Sequence, residues 1–186
     1  TWDWYISKTT TGSVTQQFGY VGCIPIPGDY DDDDRADFAV YNPSIAKWYV
    51  VPSGGDPFIE FIWGPGNAVP VPADRDGDGR TDFILYNPVD FTWHIRYAAG
   101  SIASPLTFGE SGASPFAVDL DGDGRADLAY YNPTTGILNA NLGSNGLYQV
   151  YLGVVGGSPI FGDFDGDGRN ELGLFDPPTA QWHILG

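Results

Sequence analysis

Residues 74–82 read Asp74-Arg75-Asp76-Gly77-Asp78-Gly79-Arg80-Thr81-Asp82, with carboxylates at positions 1, 3, 5 and 9 of the nine. The same pattern occurs four times, and its first aspartates stand at residues 29, 74, 119 and 163, in steps of 45, 45 and 44. Self-similarity with a period in the mid-forties is typical of architectures that repeat one supersecondary unit. The sequence therefore predicts about four copies of a small structural unit, each carrying one acidic loop.

Each acidic loop is predicted to bind one Ca2+ ion, up to four in all. Alternate residues of a tight loop turn several carboxylates toward one point, and Ca2+ accepts oxygen ligands in a flexible geometry, whereas Mg2+ demands a near-ideal octahedron. The Arg at position 7 is expected to contribute its backbone carbonyl. The predicted ligands are Asp29, Asp31, Asp33, Arg35 and Asp37; Asp74, Asp76, Asp78, Arg80 and Asp82; Asp119, Asp121, Asp123, Arg125 and Asp127; and Asp163, Asp165, Asp167, Arg169 and Glu171.

The net charge of −16 is concentrated in these loops. The chain of 186 residues has 24 acidic and 8 basic residues, and sixteen of the acidic residues are the carboxylates just named. The remaining acidic residues equal the basic ones in number. Packing like charges so closely is costly unless a cation is held among them. Hydrated Asp-Gly turns without a metal are the alternative, but four copies with the same ligand positions favour the metal.

Two loops depart from the common pattern. In the first, Asp34 replaces Gly at position 6, where a left-handed backbone is expected; Asp tolerates that region, so we expect a looser site. In the fourth, Glu171 replaces Asp at position 9. A helical EF-hand begins similarly but needs Glu at position 12. Position 12 is Val40, Leu85, Tyr130 and Leu174 in the four loops, which excludes the EF-hand.

Short apolar segments separated by turn residues surround every loop. In the second repeat we expect strands at 68–73, 82–86, 92–96 and 105–108, and no segment shows a helical period. Four strands per repeat of about 45 residues indicate an all-β fold, a β-propeller of four-stranded antiparallel blades. A parallel β-helix is the rival fold, but its repeats are far shorter. Recurring elements include an apolar residue followed by Gly, at Phe18-Gly19, Trp63-Gly64, Phe108-Gly109 and Leu152-Gly153.

The combined pattern P-x-x-D-x-D-G-D-G-R-x-D-x-x-x-Y-N-P…W-x-I…F-G resembles the FG-GAP or VCBS repeats of integrin-α-like, calcium-binding β-propellers. The resemblance covers essentially the whole chain. It implies that the loop between the first two strands of each blade binds Ca2+ through the residues named above. It also implies a secreted or cell-surface protein without a family-wide catalytic site, used in adhesion, in carbohydrate binding or as an accessory module. Departures from the pattern are Asp34, Leu138 in place of Trp, and Leu152.

The repeats predict one domain over residues 1–186. Repeat units are counted as 1–47, 48–92, 93–137 and 138–181, with an extra terminal strand at 182–186. The strand that opens with Trp occurs five times and every other element four times, so the termini do not match. Residues 15–20 are expected to supply the missing last strand, which leaves 2–7 surplus. A redundant strand, excision from a longer propeller, or strand pairing with neighbouring subunits would each explain the mismatch.

No residue is expected to be catalytic. His94 and His183 occupy the same repeat position, which duplication explains better than catalysis, and Cys23 is expected to be a small buried residue. No nucleophile elbow, phosphate-binding loop or H-E-x-x-H motif occurs in the sequence. We therefore do not expect an enzyme.

The expected function is that of an extracellular, calcium-stabilised binding or adhesion module for a glycan or a cell-surface protein. The alternative is a structural subunit that joins copies of itself, head to tail, through its terminal strands. Strong acidity disfavours nucleic acid as a partner. No apolar run reaches the ~18 residues of a membrane span, and a single Cys excludes a disulfide scaffold.

Overall fold

The computed structural model describes residues 3–8, 12–153, 155–162, 164–166 and 170–185. In this part of the chain, strands form antiparallel sheets in which each strand pairs with its neighbour in sequence. The described residues are all-β apart from a short 3-10 turn at Gly143–Asn145. No helix among the described residues is long and apolar enough to cross a membrane.

A two-stranded hairpin precedes four larger sheets, I to IV. The N-terminal hairpin consists of β1 (Asp3–Lys8) and β2 (Gly12–Gln17). Sheet I consists of β3 (Ile24–Pro25), β4 (Phe38–Asn42), β5 (Lys47–Val51) and β6 (Ile59–Ile62). Sheet II consists of β7 (Val69–Pro70), β8 (Phe83–Asn87), β9 (Thr92–Arg96) and β10 (Leu106–Thr107). Sheet III consists of β11 (Ser114–Val118), β12 (Asp127–Asn132), β13 (Ile137–Asn141) and β14 (Leu147–Tyr151), and sheet IV of β15 (Ser158–Gly162), β16 (Glu171–Asp176) and β17 (Gln181–Leu185).

The four predicted strands of the second repeat are all present, although the outer two are shorter than expected. β9 spans the predicted residues, whereas β7 and β10 have two residues each. Beyond β7 the pairing with β8 continues only as a backbone bond from Val71 to Ile84, 2.9 Å long, and an isolated bridge between Ala73 and Asp82. The ladder is interrupted because the chain here leaves the sheet to form the acidic loop.

The sheets are out of phase with the repeat units counted from residue 1. Sheet I runs from residue 24 to residue 62, so the unit boundary between 47 and 48 falls inside β5. A boundary before the repeated Trp divides a sheet, because this Trp lies in the third strand of a sheet and not in the first. Counting from residue 24 instead gives three complete four-stranded sheets followed by sheet IV.

The core lies between neighbouring sheets. The second strand of each sheet is buried along most of its length, as in Ala39 to Tyr41 and Ile84 to Tyr86. The third strand alternates: Trp48 and Val50 are fully buried and pack toward sheet II, where the Trp48 ring lies 5.1 Å from the ring of Phe83. Aromatic pairs at this distance add to the free energy of burial.

One hydrogen bond recurs between the repeated Trp and the residue before the repeated Gly. The indole Nε1 of Trp48 donates to the carbonyl of Trp63 at 3.3 Å, and Trp93 donates to Phe108 at 2.6 Å. Sheet III departs from the pattern at both positions at once, since Leu138 and Leu152 are both buried in one apolar cluster. The two departures are consistent with each other, because Leu138 replaces the indole and Leu152 replaces the residue whose carbonyl the indole would bond.

The Gly of this pair is required by space and by backbone conformation. Gly64 has a φ of +95°, and a Cβ at this position would collide with the Leu85 side chain of sheet II. Side chains other than hydrogen are disfavoured at such a φ. The glycine therefore permits close approach of consecutive sheets.

The expected closure of the last sheet by residues 15–20 is not what the structure shows. β2 pairs with β1, and sheet IV has three strands within the described residues. The hairpin corresponds to the last two strands of a sheet, because Trp4 Nε1 donates to the Phe18 carbonyl at 3.0 Å as its counterparts do. Trp182 of β17 is 62% exposed, whereas Trp48 and Trp93 are fully buried.

Candidate metal centre

Three of the acidic loops bring three carboxylates together. In each triad, one oxygen from every residue lies within 4.8 Å of the others. The triads are Asp29, Asp31 and Asp33; Asp74, Asp76 and Asp78; and Asp119, Asp121 and Asp127. Oxygen atoms so arranged are suitable ligands for a hard divalent cation.

The aspartate at position 1 organises the loop. Asp74 Oδ1 accepts the backbone N–H of Gly77 at 2.7 Å, and its Oδ2 accepts that of Gly79 at 2.9 Å. Asp29 and Asp119 make the corresponding bonds in their loops. The carboxylate thus fixes the curvature of the backbone, while its Oδ2, with one backbone donor, keeps a lone pair that can face an ion.

Positions 4 and 6 both adopt left-handed backbone conformations. In the second loop these are Gly77 and Gly79, and in the first loop Asp32 and Asp34 take φ values of 66° and 62°. The expectation that Asp34 tolerates this conformation is confirmed. The same requirement at position 4 was not predicted from the sequence.

The carboxylate at position 9 ties the loop to the sheet. It accepts the backbone N–H of position 2 in every loop, with Tyr30 bonded to Asp37 at 2.9 Å, Arg75 to Asp82 at 2.9 Å, Leu120 to Asp127 at 3.0 Å and Phe164 to Glu171 at 2.7 Å. Asp37, Asp82 and Asp127 are almost completely buried. Position 9 therefore has a structural role whether or not it contacts an ion.

The third loop uses position 9 differently from the first two. Asp37 and Asp82 each accept a second backbone N–H sixteen residues later, from Ser53 at 2.7 Å and Ala98 at 2.8 Å. The corresponding N–H of Gly143 instead bonds Asn141 Oδ1 at 3.1 Å. Asp127 Oδ1 consequently lacks that donor, and it is in this loop that position 9 joins a triad.

In the first two loops, the carboxylate at position 3 has an oxygen that no described group satisfies. Oδ1 of Asp31 and Oδ1 of Asp76 are buried and have no hydrogen-bond partner. Burial raises the pKa of both carboxyls, and neighbouring charges, from Asp37 and Asp33 at Asp31 and from Asp78 at Asp76, raise it further. A buried oxygen without a donor is costly. A cation at the triad would satisfy it, so the residues present fit a metal ion.

Burial also raises the pKa of two position 9 carboxyls, those of Asp82 and Asp127. The pKa of Asp82 is raised to about 6, and so is that of Asp127. Burial is the main cause in each case and outweighs the backbone hydrogen bonds, which act in the opposite direction.

Neighbouring loops are connected directly. The N–H of Thr81 in the second loop donates to the backbone carbonyl of Asp29 in the first at 2.5 Å. In the same way, the N–H of Ala126 in the third loop donates to the backbone carbonyl of Asp74 in the second at 2.7 Å. Arg75 reaches from the second loop to the third, where its Nη1 lies 2.8 Å from the Ala126 carbonyl and 3.8 Å from Asp127 Oδ1. The first three loops thus form a continuous row.

The Arg at position 7 donates its backbone N–H to the carboxylate at position 5. The distances are 3.0 Å from Arg35 to Asp33, 2.9 Å from Arg80 to Asp78 and 3.0 Å from Arg125 to Asp123. Ligation by the Arg carbonyl stays a prediction, as does ligation by Asp123, which lies outside the third triad.

The fourth loop is described only in part. Asp163, Asp167 and Arg169 lie outside the described residues. Asp165 is exposed, and Glu171 holds the position 9 hydrogen bond given above. The fourth ion site therefore stays a prediction from the sequence.

Some residues that contact the loops carry no signal in the repeat motif. Ser53 Oγ donates to Asp33 Oδ2 at 2.9 Å, and Asn145 Nδ2 donates to Asp121 Oδ2 at 2.7 Å. Both come from the turn after the third strand, where the repeats differ in sequence. Outside the loops, Cys23 is buried as expected, and His94 Nε2 lies 2.9 Å from Thr92 Oγ1 on the same strand.

Comparison with known proteins identifies a repeat family and a related fold. Residues 74–130 match the FG-GAP-like repeat, and residues 111–152 match the FG-GAP repeat. The fold is similar to virginiamycin B lyase from Staphylococcus aureus, with a TM-score of 0.60 and 10% identity over 97% of this chain. It is also similar to a streptogramin B lyase, with a TM-score of 0.62 and 11% identity over 98% of this chain.

These likenesses concern the fold alone, because the sequence identities are so low. The chain aligns with 61% of the length of each of the two lyases. No curated protein matches the sequence significantly.

Proposed function

Because this chain is an FG-GAP-repeat protein, we propose that it is an extracellular β-propeller, stabilised by calcium, which binds a glycan or a surface protein and catalyses no reaction. The observation that carries the proposal is the row of aspartate triads joined by hydrogen bonds between repeats. Ions bound along this row would stabilise the fold, because each loop is hydrogen-bonded to the loop of the next repeat. The sheets beside it remain available for a ligand.

Two observations support a propeller. Sheets I to III each contain four antiparallel strands in simple sequence order, as propeller blades do. The fold is also similar to that of the β-propeller-like lyases. Fully buried second strands fit this arrangement, because a blade inside a propeller has a neighbour on each face.

Calcium is the ion that the donor set favours. In each described triad the oxygens come from carboxylates, which Ca2+ prefers, and the predicted ligands include one Arg carbonyl per loop. When bound, the ion supplies positive charge that offsets repulsion among the aspartates. Extracellular modules bind Ca2+ with dissociation constants of about 10⁻⁴–10⁻³ M, which suits the calcium concentration outside cells.

A binding role is favoured over catalysis. FG-GAP repeats are typically non-catalytic, and the likeness to two lyases is limited to the fold. Among the described residues, the orphaned carboxylate oxygens and the raised carboxyl pKa values all belong to the acidic loops, where a cation accounts for them. No chemical step is needed to explain them.

The proposal is tested by binding the purified protein to a glycan array and to intact cell surfaces, with 2 mM calcium (about the extracellular level) or with a chelator. We expect retention on a defined glycan or surface protein, and loss of retention when calcium is removed. Absence of binding in both formats at saturating calcium would contradict the binding role.

A second candidate function is self-assembly, and Trp182 is the observation that favours it. This indole is 62% exposed on β17, a strand with one paired edge among the described residues, whereas Trp48 and Trp93 are buried against a fourth strand. A strand from another copy would cover Trp182. Light scattering on the wild type and Trp182→Ser tests this: a multimer that dissociates in the variant supports assembly, and a wild-type monomer contradicts it.

A further inference from the structure

We propose that the groove between sheets I and II binds a saccharide that carries carboxylate groups, such as a uronic acid oligomer. The groove has a volume of about 640 Å3, within the usual range of ligand pockets. Its walls include Arg80, Arg96, Phe58, Asp56 and Glu60. This inference rests on the proposed binding function and names the ligand class.

Two guanidinium groups in the groove have no anionic partner. Arg80 and Arg96 are both half-buried, and among the described residues neither has a carboxylate within 4.0 Å. Lys47 and Arg75, by contrast, are each paired with a carboxylate. In a chain with 24 acidic and 8 basic residues, two unpaired arginines in one groove are a feature that a ligand carboxylate would explain.

Arg96 is held in the groove by an aromatic ring. Its guanidinium carbon lies over the Phe61 ring, 4.7 Å from the ring centre. No side-chain hydrogen bond of the guanidinium is found among the described residues, so its N–H groups are available to a ligand. Those groups match the two oxygens of a carboxylate, which arginine binds in a bidentate manner.

The rest of the groove distinguishes a sugar acid from a simple anion. Asp56 and Glu60 are exposed acceptors, which would repel an isolated anion but accept hydrogen bonds from sugar hydroxyls. The Phe58 ring is 51% exposed and offers an apolar surface to the C–H face of a sugar ring. Glu60 is held in place by Lys47 at 3.0 Å. Asp31 also lines the groove, but its carboxylate belongs to the first triad.

The test is calorimetric titration of the whole chain at fixed free calcium with a galacturonate tetramer. Neutral galactose oligomers and polyglutamate serve as comparison ligands. We expect binding of the galacturonate, and weakening by roughly tenfold or more in Arg80→Gln and in Arg96→Gln, because each removes hydrogen bonds between charged groups. Arg35→Gln is the matched control for Arg80→Gln, since Arg35 has the same loop position but is exposed and lies outside the groove. Both substitutions change only the side chain and retain the backbone carbonyl that is predicted to bind calcium.

Each result has one meaning, provided that melting temperatures and calcium titrations show the variants to be folded. If galacturonate binds the arginine variants as tightly as the wild type, the assignment of this groove as the binding site is wrong, and the proposed binding function stands. If neutral oligomers or polyglutamate bind as well as galacturonate, the proposed ligand class is wrong. If galacturonate does not bind while the array or cell surface identifies another ligand, this inference fails alone. If nothing binds in any format, the proposed function fails with it.

Discussion

Each position of the acidic loop performs a different task. Position 1 accepts backbone N–H groups that curve the loop, and position 9 is buried and holds the loop on the sheet. Position 3 is the exception, because its Oδ1 is buried without a donor in Asp31 and Asp76. At the scale of the residue, ion affinity should therefore depend more on position 3 than on its neighbours.

Replacing Asp76 by Asn tests that conclusion. The substitution removes one negative charge from the second triad and keeps the shape of the side chain. We expect calorimetric titration to show the loss of one calcium site per chain, or a weakening of that site by about tenfold or more. Asp32→Asn is the control, because Asp32 lies in a loop but outside the triads, and Asn tolerates its φ of 66°. Unchanged calcium binding in Asp76→Asn would contradict the assignment.

The raised pKa of Asp82, about 6, predicts a pH dependence in the calcium-free protein. The unfolded chain holds this proton only up to about pH 4, so between pH 4 and pH 6 the folded state binds more protons than the unfolded state. The free energy of unfolding contributed by Asp82 therefore falls as the pH rises through this window. Urea denaturation at pH 5, 6 and 7 in chelator should show a shallower fall in Asp82→Asn than in the wild type. Identical pH profiles would contradict the shift.

At the scale of the element, the third strand of a sheet and the residues that follow its fourth strand determine how it packs against the next sheet. Trp48 and Trp93 fill the space between sheets and bond the carbonyl of the residue before the repeated Gly. The Gly then allows the chain to pass close to the next sheet, as Gly64 does beside Leu85. Trp182 occupies the same position within its repeat, but its side chain is exposed on β17.

Trp93→Phe and Trp182→Phe should therefore differ in cost. Trp93→Phe removes a buried hydrogen bond and leaves a cavity, so we expect it to lower the free energy of unfolding by about 1–3 kcal/mol. Trp182→Phe, the matched control, should cost less than about 0.5 kcal/mol because the side chain is exposed. Denaturant unfolding of both variants measures the difference. Equal costs would show that the buried indole bond contributes nothing specific.

At the scale of the whole molecule, the repeat in the sequence was enough to predict the acidic loops and the number of strands in sheets I to III. Those features depend on local spacing, which sequence displays directly. The pairing of β1 with β2 was not predictable, because residues 15–20 suit either the hairpin or the edge of sheet IV. The location of Arg80 and Arg96 in one groove could not be predicted from the sequence either. The two residues belong to different elements, and they line the same groove only when sheets I and II are packed together.

Hydrogen bonds between consecutive loops make the row of sites a property of the whole molecule. The N–H of Thr81 donates to the backbone carbonyl of Asp29, and that of Ala126 donates to the backbone carbonyl of Asp74. If one loop becomes disordered, the neighbouring loop therefore loses a hydrogen-bond partner. A site held at 100 times its dissociation constant adds ~2.7 kcal/mol to the folded state. Several filled sites would then contribute a large part of the ~5–15 kcal/mol by which a domain is stable.

Thermal unfolding of the wild-type chain in calcium, in magnesium and in a chelator tests this account of the fold. We predict that the melting temperature falls on the order of 10 °C when calcium is chelated, since ~1 kcal/mol corresponds to about 2–4 °C in a chain of this size. Magnesium should restore little of the loss. The same melting temperature in calcium and in chelator would contradict the claim that the aspartate triads bind calcium and stabilise the fold through it.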